Sequence, residues 1–257
     1  MSTDRLLNEI VSIALSAGDI IMDIYAGSVE VRTKDDSSPV TLADEAAEKH
    51  ILAALAELTP DVPIVAEEAA AAGAIPDISG EHFWLVDPLD GTKEFISRNG
   101  EFTVNIALVM NGAPVMGVVH APAIGRTFYG AEDEGAFCLE DGKARAIATR
   151  PTPADGVVVV ASRSHGAGEE LDAFLTSLEV ASTSPAGSSL KFCLVAAGEA
   201  DVYPRFGRTM EWDTAAGQAV LMAAGGRVEE AATGEPLLYG KEGLENPHFI
   251  AYGTANS

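Results

Sequence analysis

Two acidic residues at the end of an apolar segment constrain this chain more than any other feature. Residues 83–86 predict a buried strand, and Asp87-Pro88-Leu89-Asp90-Gly91-Thr92 follows at once. Like charges within a few ångströms raise each other's pKa, so a chain that brings two carboxylates together usually supplies a cation. Carboxylate oxygens are preferred ligands of Mg²⁺ and similar hard ions. The stretch therefore predicts a metal site that includes Asp87 and Asp90.

Three further acids stand at the ends of predicted elements. Glu67 follows the predicted strand at 63–66, Asp213 opens a predicted helix after Trp212, and Asp44 lies three residues after Thr41, a plausible helix N-cap. Each acid alone is equally well interpreted as a cap, a turn residue or a solvated strand end. Together with the pair above they form a candidate ligand set.

The residues between and after the two acids favour phosphate chemistry. Pro88 keeps the chain extended, so the Leu89 carbonyl can point the same way as the carboxylates, and Gly91 allows close approach of a ligand. Backbone N–H groups at Gly91 and Thr92 are natural phosphate donors. Two divalent ions about 4 Å apart would suit hydrolysis of a phosphate ester. A Thr92 hydroxyl paired with Asp44 would orient the attacking water and relay its proton.

The order of predicted elements divides the chain near residue 150. Helical spacing at 4–25 and 41–58 precedes a run of strands in which Asn111-Gly112 and Asp141-Gly142 are hairpin signals. Strands and helices alternate after that point, as in an α/β unit. We therefore expect an N-terminal α+β sub-domain at 1–150, with helices on a mostly antiparallel sheet, and a C-terminal α/β sub-domain at 151–257.

Composition limits the classes of partner and location. The net charge of −23 argues against binding a nucleic-acid polymer, and an anionic substrate would need local cations. Two cysteines are too few for a disulfide framework, and neither a signal peptide nor a transmembrane segment is evident, so we expect a cytoplasmic protein. The candidate cations are Lys34, Lys93, Lys191, Arg205 and Arg208.

At these residues the chain resembles the lithium-sensitive, Mg²⁺-dependent phosphatase superfamily of inositol monophosphatases. The signature of that superfamily is Glu-Glu, then Asp-Pro-x-Asp-Gly-Thr, then Trp-Asp, and all three parts occur here in that order. Within the superfamily the chain is most similar to the bacterial 3'(2'),5'-bisphosphate nucleotidases. The segments that carry this similarity are 38–44, Lys93-Glu94-Phe95, 99–108, 187–193 and 203–207.

The resemblance implies a fold, an activity and a cofactor. The fold would be an α/β (α+β) layered sandwich of the inositol-monophosphatase type. The enzyme would hydrolyse 3'-phosphoadenosine 5'-phosphate (PAP) to AMP and phosphate, clearing a by-product of sulfate assimilation. It would use two or three Mg²⁺ ions and be inhibited by Li⁺.

The resemblance also implies roles for individual residues. Asp44 and Thr92 would activate the attacking water. The metal ligands would be Glu67, Asp87, the Leu89 carbonyl, Asp90 and Asp213. Substrate contacts would come from Glu67, Leu89, Asp90, Gly91, Thr92, Ser188, Lys191, Arg205 and Asp213, of which Ser188, Lys191 and Arg205 would meet the nucleotide or its second phosphate.

Several alternatives stay open from the sequence. A related inositol monophosphatase or fructose-1,6-bisphosphatase activity would share the same metal chemistry. Phosphatases that use Asp-x-Asp-Gly-Thr form an aspartyl-phosphate, but here Pro88 and Leu89 separate the two acids and spoil that pairing. A non-enzymatic, cation-binding protein is the third interpretation. Oligomeric state and peripheral membrane association are not determined by these patterns.

Overall fold

The computed structural model of the protein describes residues 1–27, 31–33, 39–162 and 168–254. Lys34, one of the candidate cations, and the turn-rich stretch at 34–38 lie outside the described residues. Within the described ranges, no helix combines the length and the apolar character that crossing a membrane requires.

The chain begins with two long helices. Helix α1 (Thr3–Tyr25) is followed by a two-stranded ribbon of β1 (Val31–Thr33) and β2 (Pro39–Thr41), and then by α2 (Leu42–Leu58). Apolar residues of α1 recur every three or four positions, as an amphipathic helix requires. The buried members of this stripe are Leu7, Ile10, Ala14, Ala17 and Ile21. This stripe and α2 pack on one face of the first large sheet.

The first large sheet has seven strands that neighbour one another in sequence order, antiparallel except for the parallel pair β3 and β4. Two short helices, α3 (Glu67–Ala71) and α4 (Thr92–Ile96), follow β3 and β4. The strands are β3 (Ile64–Ala66), β4 (His82–Asp90), β5 (Thr103–Met110), β6 (Ala113–Ala121), β7 (Arg126–Ala131), β8 (Gly135–Glu140) and β9 (Lys143–Ile147).

Both predicted hairpins are confirmed, and local backbone chemistry explains them. Asn111 and Gly112 join β5 to β6 with φ values of 50° and 78°, and Asp141 and Gly142 join β8 to β9 with φ values of 50° and 71°. Two consecutive residues with positive φ form the turn whose twist matches that of the flanking strands. The mostly antiparallel first half therefore follows from its turn residues.

The second sheet is mixed, with the order β11-β10-β12-β14-β13. Strand β10 is parallel to β11 and β12, as expected for an α/β unit, whereas β12, β14 and β13 are antiparallel. Its elements are β10 (Val157–Ala161), α5 (Glu169–Thr176), β11 (Val180–Pro185), α6 (Leu190–Ala196), β12 (Val202–Arg205), α7 (Glu211–Ala223), β13 (Arg227–Glu230) and β14 (Phe249–Tyr252). The predicted layered α/β (α+β) arrangement is confirmed.

Helix α7 lies in the second half of the sequence but packs on the first sheet. At Gly117 in β6, an added Cβ would stand 2.6 Å from the carbonyl oxygen of Ala216 and 2.9 Å from the Cβ of Ala219. Such distances are closer than side chains tolerate, so Gly117 is what lets the α7 backbone sit directly on the sheet. The division of the chain into two sub-domains at residue 150 stays a prediction.

An ion pair between the half-buried Arg150 and the buried Asp201 joins the segment after β9 to the second sheet. Arg150 donates from Nε and Nη2 to the two carboxylate oxygens of Asp201 at 2.8 and 2.9 Å, and Val158 N donates to Asp201 Oδ2 at 2.7 Å. Burial alone would raise the pKa of Asp201, but these hydrogen bonds outweigh burial and lower it. A lowered pKa stabilises the fold above the unfolded-state value of about 4, and that contribution is lost as the pH falls below it.

We expect Asp201→Asn to reduce the free energy of unfolding at pH 7 by about 1–3 kcal/mol, the usual cost of a broken buried hydrogen-bonded pair. The difference from the unchanged protein should shrink between pH 5 and 2. Urea denaturation at several pH values measures both quantities. Asp61→Asn, at an exposed position, serves as the control and should change little. A constant difference across the pH range would contradict the pairing.

Candidate active site

Strand β4 carries a β-bulge between Asp87 and Asp90. Across the antiparallel pair, Asp87 faces Asn105 and Asp90 faces Thr103, so three steps on β4 match two steps on β5. Side chains alternate between the faces of a regular strand, and residues three apart would point to opposite sides. The extra residue of the bulge cancels that alternation, and both acids share the face of Thr103 and Asn105.

The strand therefore runs further than the sequence predicted, through Pro88 and Leu89 to Asp90. Pro88 has no N–H to give to a ladder, which suits a bulged position. Asp87 is 1% exposed, and its Oδ1 accepts a hydrogen bond of 3.0 Å from Leu89 N. This hydrogen bond lies within the bulge and joins its first residue to the backbone of Leu89. It fixes the rotation of the Asp87 carboxylate.

Glu67 reaches the same place from the neighbouring strand. Ala66 pairs with Val86 in the parallel β3–β4 register, so the next residue of each strand, Glu67 and Asp87, are neighbours. Burial raises the pKa of Asp87 well above its usual range, and the carboxylate of Glu67 adds to this effect more than any other acid does. Glu67 is the first residue of α3. The alternative interpretation of Glu67 as a solvated strand end is therefore replaced by a position at the start of a helix.

Asp213 approaches from the second half of the chain. It lies in the first turn of α7, where its Oδ2 accepts a hydrogen bond of 2.8 Å from Met210 N, closing the helix start. Burial, and then the charge of Asp90, raise the pKa of Asp213 to about 8. The capping role and the proximity to the other acids therefore occur together in one residue.

The donor set fits a hard divalent cation. Burial raises the pKa values of Asp87, Asp90 and Asp213, and the carboxylate of Glu67 adds to the rise in all three. Buried, mutually repelling carboxylates are stabilised by a cation. In the described part of the chain, no group of three or more His, Cys, Asp or Glu side chains is already arranged to hold a metal ion.

Asp44 and Thr92 are brought together as the sequence predicted. Thr41 caps α2, and Asp44 Oδ2 accepts from Thr41 N at 2.8 Å and Thr41 Oγ1 at 2.6 Å. The other oxygen, Asp44 Oδ1, accepts from Thr92 Oγ1 at 3.2 Å. The two interpretations of Asp44, as a helix cap and as the partner of Thr92, are therefore both correct. Burial raises the pKa of Asp44.

A cavity of about 310 Å³ opens beside these acids. It is lined by the acids Glu67, Asp90 and Asp213 and by basic side chains. The lining includes the other predicted contacts, Gly91, Thr92, Ser188, Lys191 and Arg205, together with Lys93 and Arg208. The cavity thus combines acids suited to cations with bases suited to anions, and the bases reverse locally the repulsion expected from the net charge.

The basic residues of the cavity are held in different ways. Lys191 is 4% exposed, and its Nζ donates to Ser188 O at 2.5 Å and to Ala186 O at 3.3 Å. Burial lowers the pKa of Lys191 to about 8. Arg205 donates from Nη2 to Arg208 O at 3.0 Å, while its Nε is buried and has no hydrogen-bond partner in the described part of the chain. An unsatisfied buried guanidinium N–H at a cavity wall fits an anionic group of a ligand.

Only part of Lys93-Glu94-Phe95 faces the cavity. Lys93 and Glu94 line it, whereas the Phe95 ring is fully buried 5.0 Å from the ring of Tyr25 and 5.1 Å from that of Phe102. Phe95 therefore anchors α4 in the core, and any influence of this segment on substrate choice comes from its first two residues.

Sequence reasoning did not assign a role to two residues that support the acids. Glu48 is buried in α2, and its carboxylate accepts from Glu68 N at 2.8 Å and Ala69 N at 2.9 Å, which fixes the start of α3 directly after Glu67. Ser189 donates its N–H to Asp90 Oδ2 at 2.6 Å. The segment 187–193, which carries part of the family resemblance, is the sequence signal that could have identified Ser189.

The raised pKa values predict that the metal-free protein loses stability as the pH increases. Burial raises the pKa of Asp90 to about 6 and that of Asp213 to about 8. A raised carboxyl pKa stabilises the fold fully below the unfolded value of about 4, and the contribution is lost as the pH rises through the folded value. We expect the melting temperature in EDTA to be lower at pH 8 than at pH 5.5 by about 4 °C or more.

Thermal denaturation with and without Mg²⁺ across pH 5.5 to 8.5 measures this effect. Mg²⁺ should restore the loss, and Asp213→Asn should flatten the profile in EDTA because the amide does not ionise. A metal-free melting temperature that rises with pH over this range would contradict the assignment.

Comparison with known proteins shows which proteins this chain is similar to. A sequence profile of the inositol monophosphatase family matches residues 2–254. The 3'(2'),5'-bisphosphate nucleotidase CysQ of Salmonella typhimurium is 48% identical over 247 residues, which are 95% of this chain and 98% of that protein.

Solved structures agree with this similarity. The crystal structure of CysQ from Bacteroides thetaiotaomicron, described as a bacterial member of the inositol monophosphatase family, has a TM-score of 0.81 and 40% identity over 98% of both chains. An inositol monophosphatase from Anabaena (Nostoc) sp. PCC 7120 has a TM-score of 0.76 and 26% identity, covering 97% of this chain and 90% of its own.

Proposed function

The chain belongs to the inositol monophosphatase family, and we infer that it acts there as a 3'(2'),5'-bisphosphate nucleotidase. The enzyme is a phosphatase, and its proposed reaction is hydrolysis of the 3'-phosphate of PAP to give AMP and phosphate. The observation that carries this proposal is the bulge of β4, which sets Asp87 and Asp90 on one face beside Glu67 and Asp213, next to a cavity with basic walls. The proposal includes a cytoplasmic location, which two buried free cysteines support.

The cofactor proposed for this site is Mg²⁺, two or three ions of it, with Li⁺ as an inhibitor. The residues that would hold it are Glu67, Asp87, the Leu89 carbonyl, Asp90 and Asp213. When bound, it supplies Lewis-acid stabilisation of phosphate oxygens and a more acidic water. Bonds from Leu89 N, Ser189 N and Met210 N already fix one oxygen each of Asp87, Asp90 and Asp213.

Thr92 and Asp44 provide the route for the proton of the attacking water. The Thr92 hydroxyl donates to Asp44 Oδ1, so its oxygen is left to accept a proton from water. As the water oxygen bonds to phosphorus, its proton passes to Thr92 Oγ1 and the Thr92 proton passes to Asp44 Oδ1. Burial raises the pKa of Asp44, which makes its carboxylate a better proton acceptor. The bond from phosphorus to the ribose 3'-oxygen breaks as the new bond forms, and the leaving 3'-oxygen takes a proton from a solvent water to become the 3'-hydroxyl of AMP.

The basic wall of the cavity would recognise the second phosphate of the substrate. Arg205 offers a buried Nε–H that has no hydrogen-bond partner among the described residues, and Lys191 and Ser188 also line the cavity. The N–H groups of Gly91 and Thr92 would contact the phosphate that is removed. An enzyme for monophosphates needs no such second anion site, so the cavity favours a bisphosphate, and the nucleotide is proposed among bisphosphates because of the similarity to CysQ.

A panel of substrates tests the proposal directly. PAP, inositol 1-phosphate and fructose 1,6-bisphosphate are compared by kcat/KM with Mg²⁺ and with EDTA. The expected result is the highest kcat/KM for PAP and loss of activity in EDTA. A preference for inositol 1-phosphate or fructose 1,6-bisphosphate would overturn the nucleotidase assignment, and activity that persists in EDTA would overturn the metal assignment.

We expect Arg205→Ala to raise KM for PAP by about 10–100-fold, because a charge-assisted hydrogen bond contributes about 1.5–3 kcal/mol. The KM for 3'-AMP, which lacks the 5'-phosphate, should change much less. Arg227→Ala removes an arginine on β13 that does not line the cavity, and it serves as the control. Equal increases in KM for both substrates would show that Arg205 does not read the second phosphate.

A further inference from the structure

We propose that the Ser189 hydroxyl is a positioning group for the acidic site: by binding Thr103 and Asn105 on β5, it fixes the backbone N–H that orients the Asp90 carboxylate. The proposal rests on the proposed function, because it takes Asp90 as a ligand of the metal ion. It assigns a role to Thr103 and Asn105 of the segment 99–108, which the mechanism above does not otherwise use.

The contacts of Ser189 connect two parts of the chain that are far apart in sequence. The residue is 2% exposed and stands immediately before α6. Its N–H donates to Asp90 Oδ2 at 2.6 Å. Its Oγ lies 2.7 Å from Asn105 Oδ1 and 2.8 Å from Thr103 Oγ1, and both partners are buried. Backbone and side chain of one residue thus bind the bulged strand and its neighbour together.

Counting the hydroxyl protons shows which group donates in each hydrogen bond of this cluster. A serine hydroxyl has one proton to donate, and Ser189 Oγ donates to Asn105 Oδ1. The Thr103 hydroxyl must then be the donor in its contact with Ser189 Oγ. The hydrogen bonds run from Thr103 through Ser189 to Asn105, and each group in such a chain polarises the next.

The two partners of the hydroxyl stand opposite the two acids of the bulge. Thr103 is the cross-strand partner of Asp90, and Asn105 is the cross-strand partner of Asp87. The Ser189 side chain therefore binds the two residues of β5 that pair across the sheet with the two carboxylates. A displacement of Ser189 relative to β5 would rotate or lengthen the bond that its N–H makes to Asp90.

The neighbouring residues of the loop are held by other groups. Gly187 N donates to Glu101 Oε2 at 2.7 Å, Ser188 Oγ donates to Glu101 O at 3.0 Å, and Lys191 Nζ donates to Ser188 O at 2.5 Å. These bonds locate the start of the loop and its carbonyl groups. The hydroxyl contacts are what fixes Ser189 against β5 at the height of Asp90.

Loss of the hydroxyl should act on metal affinity before it acts on the substrate. Residues that orient a metal ligand typically change metal affinity by about 10–100-fold when they are removed. We therefore expect Ser189→Ala to raise the dissociation constant for Mg²⁺ about tenfold, and to raise the Mg²⁺ concentration for half-maximal activity by the same factor. KM for PAP at saturating Mg²⁺ should change by less than about twofold.

A matched pair of substitutions on the same sheet separates this role from general packing. Thr103→Val removes the hydroxyl that donates to Ser189 and keeps the side-chain shape. Thr127→Val on β7 makes the same change at a buried threonine whose Oγ1 lies 2.9 Å from His120 Nδ1. Both variants lose one buried hydroxyl, so both should lower the melting temperature, but only Thr103→Val should weaken Mg²⁺ binding.

The experiment is calorimetric titration of the full chain with Mg²⁺ alone, without substrate, on the unchanged protein, the three single variants and the Ser189→Ala/Thr103→Val double variant. The expected result is weaker binding in Ser189→Ala and Thr103→Val, unchanged binding in Thr127→Val, and a double variant no weaker than the worse single one, because both act through one chain of bonds. Should Ser189→Ala fail to fold, the comparison of Thr103→Val with Thr127→Val decides the question.

Three outcomes would overturn the proposal. Unchanged Mg²⁺ affinity in Thr103→Val or in a folded Ser189→Ala would leave the cluster with a packing role only. Equal losses in Thr103→Val and Thr127→Val would show a general effect of buried hydroxyls. Because no substrate is present, a failed substrate panel leaves the positioning role standing, whereas absence of Mg²⁺ binding to the unchanged protein would remove both.

Discussion

Asp90→Asn will lower kcat/KM for PAP at saturating Mg²⁺ by about 10³-fold and will at the same time stabilise the metal-free protein. A metal ion contributes several kcal/mol of transition-state stabilisation, and each 1.36 kcal/mol is a factor of ten in rate. The opposite sign of the stability effect follows from burial, which raises the pKa of Asp90 to about 6 and makes its ionised form costly at pH 7.

Steady-state kinetics and thermal denaturation in EDTA test the two parts of this expectation together. Asp61→Asn, an exposed change of the same kind, should leave kcat/KM and melting temperature near their original values. A large loss of activity together with a lower metal-free melting temperature would indicate damage to the fold. A loss below about tenfold would show that Asp90 does not hold the ion.

Thr92→Ala will lower kcat by about 10²-fold or more and leave KM nearly unchanged. The hydroxyl contacts Asp44 Oδ1 and is the group placed to accept a proton from water, and positioned acid–base groups contribute about 10²–10⁴-fold. An interaction made only in the transition state affects kcat, whereas an interaction made with the bound substrate affects KM. Thr92→Ser keeps the hydroxyl and should retain most of the activity.

A double variant shows whether Thr92 and Asp44 act as one unit. Asp44→Asn should reduce kcat to a similar extent, since its amide keeps an acceptor for the α2 cap but is a poor proton acceptor. Thr92→Ala/Asp44→Asn should then be no slower than the slower single variant. Additive losses would mean that the two residues contribute independently, and an increase in KM with kcat unchanged would make Thr92 a binding residue.

Local patterns predicted those parts of the fold that local chemistry controls. The hairpins at Asn111-Gly112 and Asp141-Gly142, and the capping of α2 by Thr41 and Asp44, depend on the backbone preferences of a few adjacent residues. The mixed second sheet, with β14 between β12 and β13, and the seating of α7 on the first sheet depend on contacts between distant segments. The hydrophobic periodicity of a segment does not indicate which distant segment it will contact.

The same distinction holds for the site. The sequence and its resemblance predicted Asp44 beside Thr92, and the structure confirms that contact. The sequence predicts a strand that ends at residue 86, because nothing in an isolated strand reveals a bulge, which is defined against the neighbouring strand. Glu48 binds the N–H of Glu68, 20 positions away, and Ser189 binds Asp90, 99 positions away. No local pattern predicts a contact at that separation. The ligand roles themselves stay predictions.

The bulge of β4 also changes what a strand can offer to a metal. Two acids separated by a single residue on a regular strand would share a face equally well, but the carbonyl between them would be committed to sheet pairing. With one residue more, the strand gives up a rung of its ladder and gains an uncharged oxygen, that of Leu89, at the level of Thr92 Oγ1, 3.4 Å away. In the proposed site, a neutral donor among anionic ones would limit the total negative charge of the cluster, so the longer spacing would add a ligand without adding repulsion.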